Sequence, residues 1–374
     1  MSEWLLDPDV TYLNHGAFGA LPKVVAEAAA QLRVEMERNP ADLLMRRLPD
    51  LLDQVRGRLA EFLHADEAGC VFLANATAGT ATVIRSLAPD MQPGDEILTT
   101  DHRYQAVQVQ LQAHANRDGV VPVFAHVPLD LTDPSDVVTA IIERVTRRTR
   151  LIVVDSIASA SGFVFPVAQI VEAAHERGVP VLVDAAHAPG QIANDLEQLG
   201  ADFWVGNLHK WVCSPRAAAI LSITPQWREK IRPLVPSHLF ADGLQPAFDW
   251  TGTFDPVNLL AVPAALDFWA GLGWDGVRRR QRELVDAGAA VVAAALGTTT
   301  RVDDRFRAAM RIVELPDRLD ASRARSIEAT LSARYRVEVS LMNLHDRDFV
   351  RVCGQVYNEP ADYDRLARAL PELL

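Results

Sequence analysis

From residue 70 onward the chain alternates short, uninterrupted apolar runs with segments of helix length, and that pattern narrows the possible folds more than any other feature. The runs are Cys70–Leu73, Glu96–Thr99, Val120–Phe124, Leu151–Val154, Val179–Val183, Phe203–Val205 and Ala217–Ile220. Several are continuous Val, Ile and Leu without polar alternation, as expected of strands covered on both faces. Helical patterns such as Val167–Arg177 lie between many of them. The combination predicts an α/β domain with a mainly parallel, seven-stranded sheet. After residue 255 the character changes. Helices near 257–270 and 274–296 precede a strand at Arg311–Glu314 and a helix at 320–334. Strands near Arg336–Ser340 and Phe349–Cys353 follow, then a helix at Ala361–Leu370. The expected organisation is an N-terminal segment 1–20, a large domain 21–255 and a smaller α+β domain 256–374, in keeping with a chain of 374 residues at ~150 residues per domain.

Bulk properties exclude several classes. A formal charge of −12 argues against a general nucleic-acid surface. The one basic cluster, Arg278, Arg279 and Arg280, reads as a solvated helix face. Cys70, Cys213 and Cys353 are too few and scattered for a disulfide framework or a zinc site, and their apolar flanks read as small buried hydrophobes. No apolar run reaches the ~18 residues of a membrane span. The acidic start MSEWLLDPDV lacks a basic segment leading into an apolar one, so the chain reads as cytoplasmic, with no membrane partner.

Ligands of open α/β sheets bind beyond the carboxyl ends of the strands. There the segment VPVLVDAAHAPGQ places Asp184 and His187, and DFWVGNLHKW places Asn207, His209 and Lys210. VFLANATAGT runs from a strand through Ala76 and Thr77 into a helix, whose free N–H groups suit a phosphate. Each signal is weak alone, since a strand-end Asp is often structural. Together they offer a lysine that loses its proton in a desolvated pocket, a carboxylate for a protonated ring nitrogen, and a phosphate cradle. Pyridoxal 5′-phosphate needs those three services.

The chain resembles the class V aminotransferase family of fold-type I pyridoxal-phosphate enzymes, in particular its isopenicillin N epimerase-like branch, near the hercynylcysteine sulfoxide lyases. The motifs are TYLNHGAFGALP, NATAGT, TTDHRYQA, VDAAHAPGQ, GADFWVGNLHKW, DWTGTFDP and FVRVCGQVYNEPADYDRLARAL, covering nearly the whole length. The resemblance implies that Lys210 carries the cofactor as a Schiff base and later acts as the base at Cα. Asp184 would pair with the pyridinium nitrogen, and His187 would lie near the phenolic oxygen. Ala76, Thr77, Asn207 and His209 would meet the phosphate. Gly252 and Thr253 would reach it from a partner subunit, making a homodimer part of the site. Tyr104 would stack on the ring, Arg351 would clamp the substrate carboxylate, and Asn14, His15 and Gly16 would close over the substrate. Plainer readings stand beside these: packing for Tyr104, a core histidine for His187, a surface turn for His15, a salt bridge for Arg351. His102, His175 and His345 read as surface residues. Where related enzymes place Asn or Thr beside the cofactor, this chain has Ala158, leaving Ser156 or Ser159 to substitute.

Desulfuration through a cysteine on a mobile loop is set aside, because 297–348 contains no cysteine. The leading expectation is β-elimination from an S-substituted cysteine or its sulfoxide, which asks for one base and a good leaving group. The alternatives are epimerisation, which needs an acid–base group on the opposite face with Tyr104 or His15 as candidates; transamination or decarboxylation in natural-product chemistry; and a non-catalytic binding module.

Overall fold

The computed structural model describes residues 3–300 and 303–374. Seven strands form the central sheet: β1 (Cys70–Leu73), β2 (Glu96–Thr100), β3 (Val121–Ala125), β4 (Thr149–Asp155), β5 (Val181–Asp184), β6 (Phe203–Asn207) and β7 (Ala219–Ile223). Their order is β1-β7-β6-β5-β4-β2-β3. Pairing is parallel from β6 through β3, and β7 runs antiparallel to both β6 and β1. All seven expected strands are present, each within two or three residues of its predicted bounds.

The unbroken apolar runs have a simple cause. Along β4, Leu151 and Val153 enter a core shared with Ile84 and Leu87 of the helix Ala76–Leu87. Ile152 and Val154 enter the opposite core, with Val137, Ile141 and Ile170 of the helices Pro134–Ile142 and Val167–His175. Side chains of a strand alternate faces, so a sheet buried on both sides needs apolar residues at every position.

The C-terminal part holds a three-stranded antiparallel sheet of β8 (Met310–Glu314), β9 (Ser340–Leu344) and β10 (Arg347–Cys353), with β10 central. The helices Trp274–Leu296 and Pro360–Ala369 pack over it, and Gly288 lies directly against the Tyr363 ring, where no Cβ would fit. Residues 257–272, beyond the expected boundary at 255, still contribute Leu259, Leu260, Val262, Ala265 and Leu266 to the core beneath the large sheet. The strand expected at Arg336–Ser340 is split. Val337–Glu338 pairs in parallel with Thr11–Tyr12, and the chain then continues as β9. The N-terminal segment is thereby stitched into the C-terminal part, Cys353 N–H donating to Leu13 O at 2.9 Å. The helix expected over 320–334 is α-helical for Ala321–Thr330 and then widens into a π-helical turn at Leu331–Tyr335.

Cys70, Cys213 and Cys353 are free and buried. Arg279 and Arg280 are exposed as expected, whereas Arg278 lies over the Trp274 ring. His102 corrects the sequence reading: it is fully buried, with both ring nitrogens committed to Ser161 Oγ and Val127 O. No single helix among the described residues is long and apolar enough to cross a membrane.

Candidate active site

Lys210 sits in the loop that turns β6 back into β7. Leu208 N–H donates to Ala218 O, and Cys213 and Ala217 adopt left-handed backbone conformations rare for residues with a Cβ. Two glycines clamp this loop. Gly19 (φ 69°) packs on the carbonyls of His209 and Lys210, and Gly190 (φ 86°) on that of Trp211. A side chain at either position would strike backbone and stand in a strained conformation.

The Lys210 amine lies 3.1 Å from His187 Nε2, and Trp211 Nε1–H donates to His187 Nδ1 at 3.4 Å. An Nδ1 that accepts keeps the neutral ring's proton on Nε2, facing the lysine. Burial and the neighbouring Lys210 and Arg351 charges hold His187 far below its ordinary pKa. Burial, reinforced by Arg351, also lowers the Lys210 pKa to about 8, with Asp184 opposing. The amine is thus released from its proton more readily than an exposed lysine, as a nucleophile requires.

Asp184 ends β5, where Ala186 N–H donates to its Oδ1 at 3.0 Å. Burial raises its carboxyl pKa. Directly beside it in register, at the end of β4, stands Asp155. Burial and the neighbouring Asp184 carboxylate push Asp155 well above the carboxylate range. Sequence reading missed Asp155, although its position just past the apolar run Leu151–Val154 was the available signal.

At the helix Ala76–Leu87, Asn75 Oδ1 accepts from Ala78 N–H at 2.9 Å, and Asn207 Oδ1 from Ala76 N–H at 2.8 Å. Asn207 therefore joins β6 to the turn. Between these two capped donors, the Thr77 N–H at the second helical position has no acceptor within the helix, and the Thr77 side chain is exposed. His209 Nδ1 bonds Ala218 O at 3.0 Å, and burial lowers its pKa to about 4, so only a protonated ring would present a donor at Nε2.

Arg351, on β10, is 3% exposed. Its Nη1 donates to the Ser159 carbonyl at 2.5 Å, and its Nη2 approaches Asn14 Oδ1 at 3.4 Å. Its Nε is buried without a partner, and no carboxylate side chain pairs with the guanidinium among the described residues. A salt bridge is thus not what holds it there. Ser159, one of the two candidates to replace the contact missing at Ala158, is taken up by Arg351. Ser156 is buried, its N–H bonded to Asp184 O.

His15 is wholly buried. Its Nδ1 meets Tyr357 OH at 3.0 Å, and its Nε2 meets Lys210 O at 3.1 Å and Gln355 Nε2 at 3.2 Å. Burial drops its pKa to about 3. The surface-turn reading is overturned: His15 ties the N-terminal segment to the Lys210 loop. Gly16 N–H donates to Cys353 Sγ at 3.3 Å.

His15 and His187 bond to Lys210, Asn14 bonds to Arg351, and Gly16 bonds to Cys353; Asp184 and Arg351 act on Lys210 through charge, and Asn207 joins the Ala76 turn to the strand end next to His209 and Lys210. Tyr104 stands apart, 44% exposed at the start of the helix Gln105–Asp118, and lines a cavity of about 500 Å³ with Arg103, Ser159 and His345. Thr253 is exposed and shares an apolar cavity with Met45, Leu48 and Trp250, distinct from the Lys210 network.

The aminotransferase class-V family model matches residues 11–313. The chain belongs to the class V aminotransferase family. It is 33% identical to isopenicillin N epimerase of Amycolatopsis lactamdurans, over 98% of this chain and 96% of that protein. It is 30% identical to L-cysteine desulfhydrase of Arabidopsis thaliana, over 98% and 88%. It is 25% identical to hercynylcysteine sulfoxide lyase of Schizosaccharomyces pombe, over 99% of this chain and 95% of that protein. Among solved structures it superposes on the cystine C–S lyase C-DES, in complex with its product cysteine persulfide, at a TM-score of 0.82, with 22% identity and 97% of each chain covered. As a class V aminotransferase-family enzyme it uses pyridoxal phosphate, and the residues present fit that group. A desolvated amine, a buried strand-end carboxyl and an uncapped N–H at a helix start are the groups that its aldehyde, ring nitrogen and phosphate would need.

Proposed function

We propose that the enzyme is a C–S lyase, cleaving an S-substituted cysteine or its sulfoxide by β-elimination. The observation that carries this reading is the asymmetry of its acid–base groups. Lys210 is a base of lowered pKa beside the buried Arg351, whereas His15, a candidate for the opposite face, has both nitrogens committed to the protein.

Arg351 would receive the substrate α-carboxylate, its planar fork and unpartnered Nε suiting that anion. Bound pyridoxal phosphate supplies the electron sink for the charge left at Cα. Asp184 would hold the ring nitrogen, and the Nε2–H of His187 the phenolic oxygen. The Thr77 N–H and the Asn207 amide would hold the phosphate, and His209 would donate to it once its ring is protonated. Lys210 would remove the Cα proton; the sulfur then leaves from Cβ with the bonding pair, and Lys210 can return the proton to it. One base suffices, and no cysteine nucleophile is needed, Cys353 being buried under Gly16. The relatives named L-cysteine desulfhydrase and hercynylcysteine sulfoxide lyase support the same reaction class.

Epimerisation is the second reading, favoured by the 33% relative. It requires a proton donor on the opposite face, and Tyr104 is the remaining candidate. We further propose a homodimer in which Thr253 completes the partner's phosphate site; Gly252 at φ 127° and the exposed apolar surface at Met45 support this.

The test is pyruvate release from S-substituted cysteines and their sulfoxides, hercynylcysteine sulfoxide included, by the pyridoxal-phosphate-saturated enzyme. Release that vanishes in Lys210→Ala supports the lyase, and the preferred substituent identifies its substrate. No release across the panel, with solvent deuterium entering Cα, would replace it by epimerisation or transamination.

A further inference from the structure

Three residues from separate segments meet beside the cavity that Tyr104 and Ser159 line. Asp101 follows β2, His126 follows β3, and His345 occupies the turn between β9 and β10. Asp101 Oδ1 accepts Val127 N–H at 3.0 Å, which fixes the carboxylate. Its Oδ2 then stands 2.6 Å from His126 Nδ1 and 2.7 Å from His345 Nε2. The three donor atoms lie within 4.8 Å of one another, and the two imidazole centroids are 4.6 Å apart. No other His, Cys, Asp or Glu triple converges in this way among the described residues.

The turn supplies an independent argument. Leu344 and Arg347 are the last pair of the β9–β10 ladder, so His345 and Asp346 form a two-residue hairpin turn, with φ values of 51° and 55°. Such turns favour Asn and Gly, because left-handed backbone costs a residue with a large side chain. From this turn the His345 ring reaches across to the Asp101 carboxylate. Neighbouring His102 is a wall and not a further ligand, since Ser161 and Val127 occupy its two nitrogens.

We propose that Asp101, His126 and His345 form a three-ligand site for a divalent transition metal, with zinc the best match. Two neutral imidazoles and one carboxylate are a donor set that zinc accepts, at bond lengths of about 2.0–2.2 Å, with a fourth position left open. Asp101 and His345 both border the cavity of about 500 Å³ that Tyr104 and Ser159 line. A metal here would staple the large sheet to the β9–β10 hairpin, six residues before Arg351. The Val127 N–H already provides the orienting outer contact typical of such sites.

The rival is a carboxylate bridged to two imidazoles by protons alone, and binding separates the two. Metal-stripped, pyridoxal-phosphate-loaded full-length protein is titrated with zinc chloride by calorimetry, and in parallel with Co²⁺ while its visible d–d absorption is followed. One saturable equivalent per chain is expected, with Co²⁺ intensities of low coordination number. Affinity should fall roughly tenfold or more in both His126→Ala and His345→Asn. It should be unchanged in His175→Ala, which breaks a His–Asp pair outside the cluster, between half-exposed His175 and buried Asp202. His126 is exposed and Asn suits the turn, so both variants fold; retained cofactor absorbance verifies that. Zinc should raise the thermal midpoint of the parent but not of His345→Asn. Absence of a saturable equivalent, or binding that survives both His126→Ala and His345→Asn, would overturn the site.

Discussion

At the residue scale, the site depends on side chains whose chemistry is changed by burial. Arg351 is the clearest case: a guanidinium inside a strand, bonded to a carbonyl and an amide oxygen, with no carboxylate paired to it among the described residues. Arg351→Lys keeps the charge and loses the fork. It should lower kcat/KM by about 10- to 100-fold, the worth of one or two charge-assisted hydrogen bonds, with most of the change in KM. Steady-state kinetics on the substrate found by the panel reads this directly. Lys210 makes a pH prediction. Its pKa in the folded apoprotein is about 8 against 10.5 for the ordinary side chain. Between those values the unfolded chain binds the extra proton, so apoprotein stability rises with pH across that window. Below pH 8 the destabilisation is constant. Lys210→Met should therefore stabilise the apoprotein at pH 7, and the gain should shrink between pH 8 and 10.5. Denaturant unfolding at several pH values checks it, and a gain that ignores pH would contradict the cause given.

At the element scale, the site is held by the ends of strands and the glycines and caps that fit between them. Gly19→Ala would drive a methyl group into the His209 and Lys210 carbonyls and strain a positive φ. A loss of several kcal/mol in stability and weakened cofactor retention are expected, on the order of the larger single-residue effects known. Calorimetric melting and the visible absorbance of dialysed enzyme test this. Asn207→Ala would strand the Ala76 N–H in a buried position, costing about 1–3 kcal/mol, and should loosen the turn at Thr77. The same melting experiment measures the first effect, and cofactor titration the second. The expected sheet was legible because burial on both faces imposes unbroken apolar runs, a local signal. The small β9–β10 hairpin was less legible. Met342 and Asn343 are not deeply buried, and the strand was read as ending at Ser340.

At the scale of the whole molecule, the N-terminal segment, the Lys210 loop and β10 form one unit through His15, Cys353 and the Thr11–Tyr12 pairing. The proposed dimer adds a prediction that belongs here. If Thr253 serves the partner's site, Lys210→Ala and a Gly252–Thr253 double-alanine variant, each nearly inactive alone, should recover activity when mixed under subunit exchange. Hybrid dimers hold one site with neither lesion, so about a quarter of parental activity is expected at equal mixing from random pairing of two subunit types. No recovery, with exchange verified by sedimentation of tagged chains, would remove Thr253 from the shared site.

The amino-acid sequence by itself determined the sheet, its seven strands, and the strand-end residues Asp184, Asn207 and Lys210. These are consequences of local composition and spacing, readable wherever a buried strand stops. Tertiary structure alone decided which distant residues meet. It set Asp155 beside Asp184, committed both nitrogens of His15 to Tyr357 and the Lys210 carbonyl, and buried His102, whose polar neighbours give no hint of that. It also drew His345 across to Asp101 and His126. Such contacts arise from strand register and from packing between segments 25 to more than 300 residues apart, and no short window of sequence contains them.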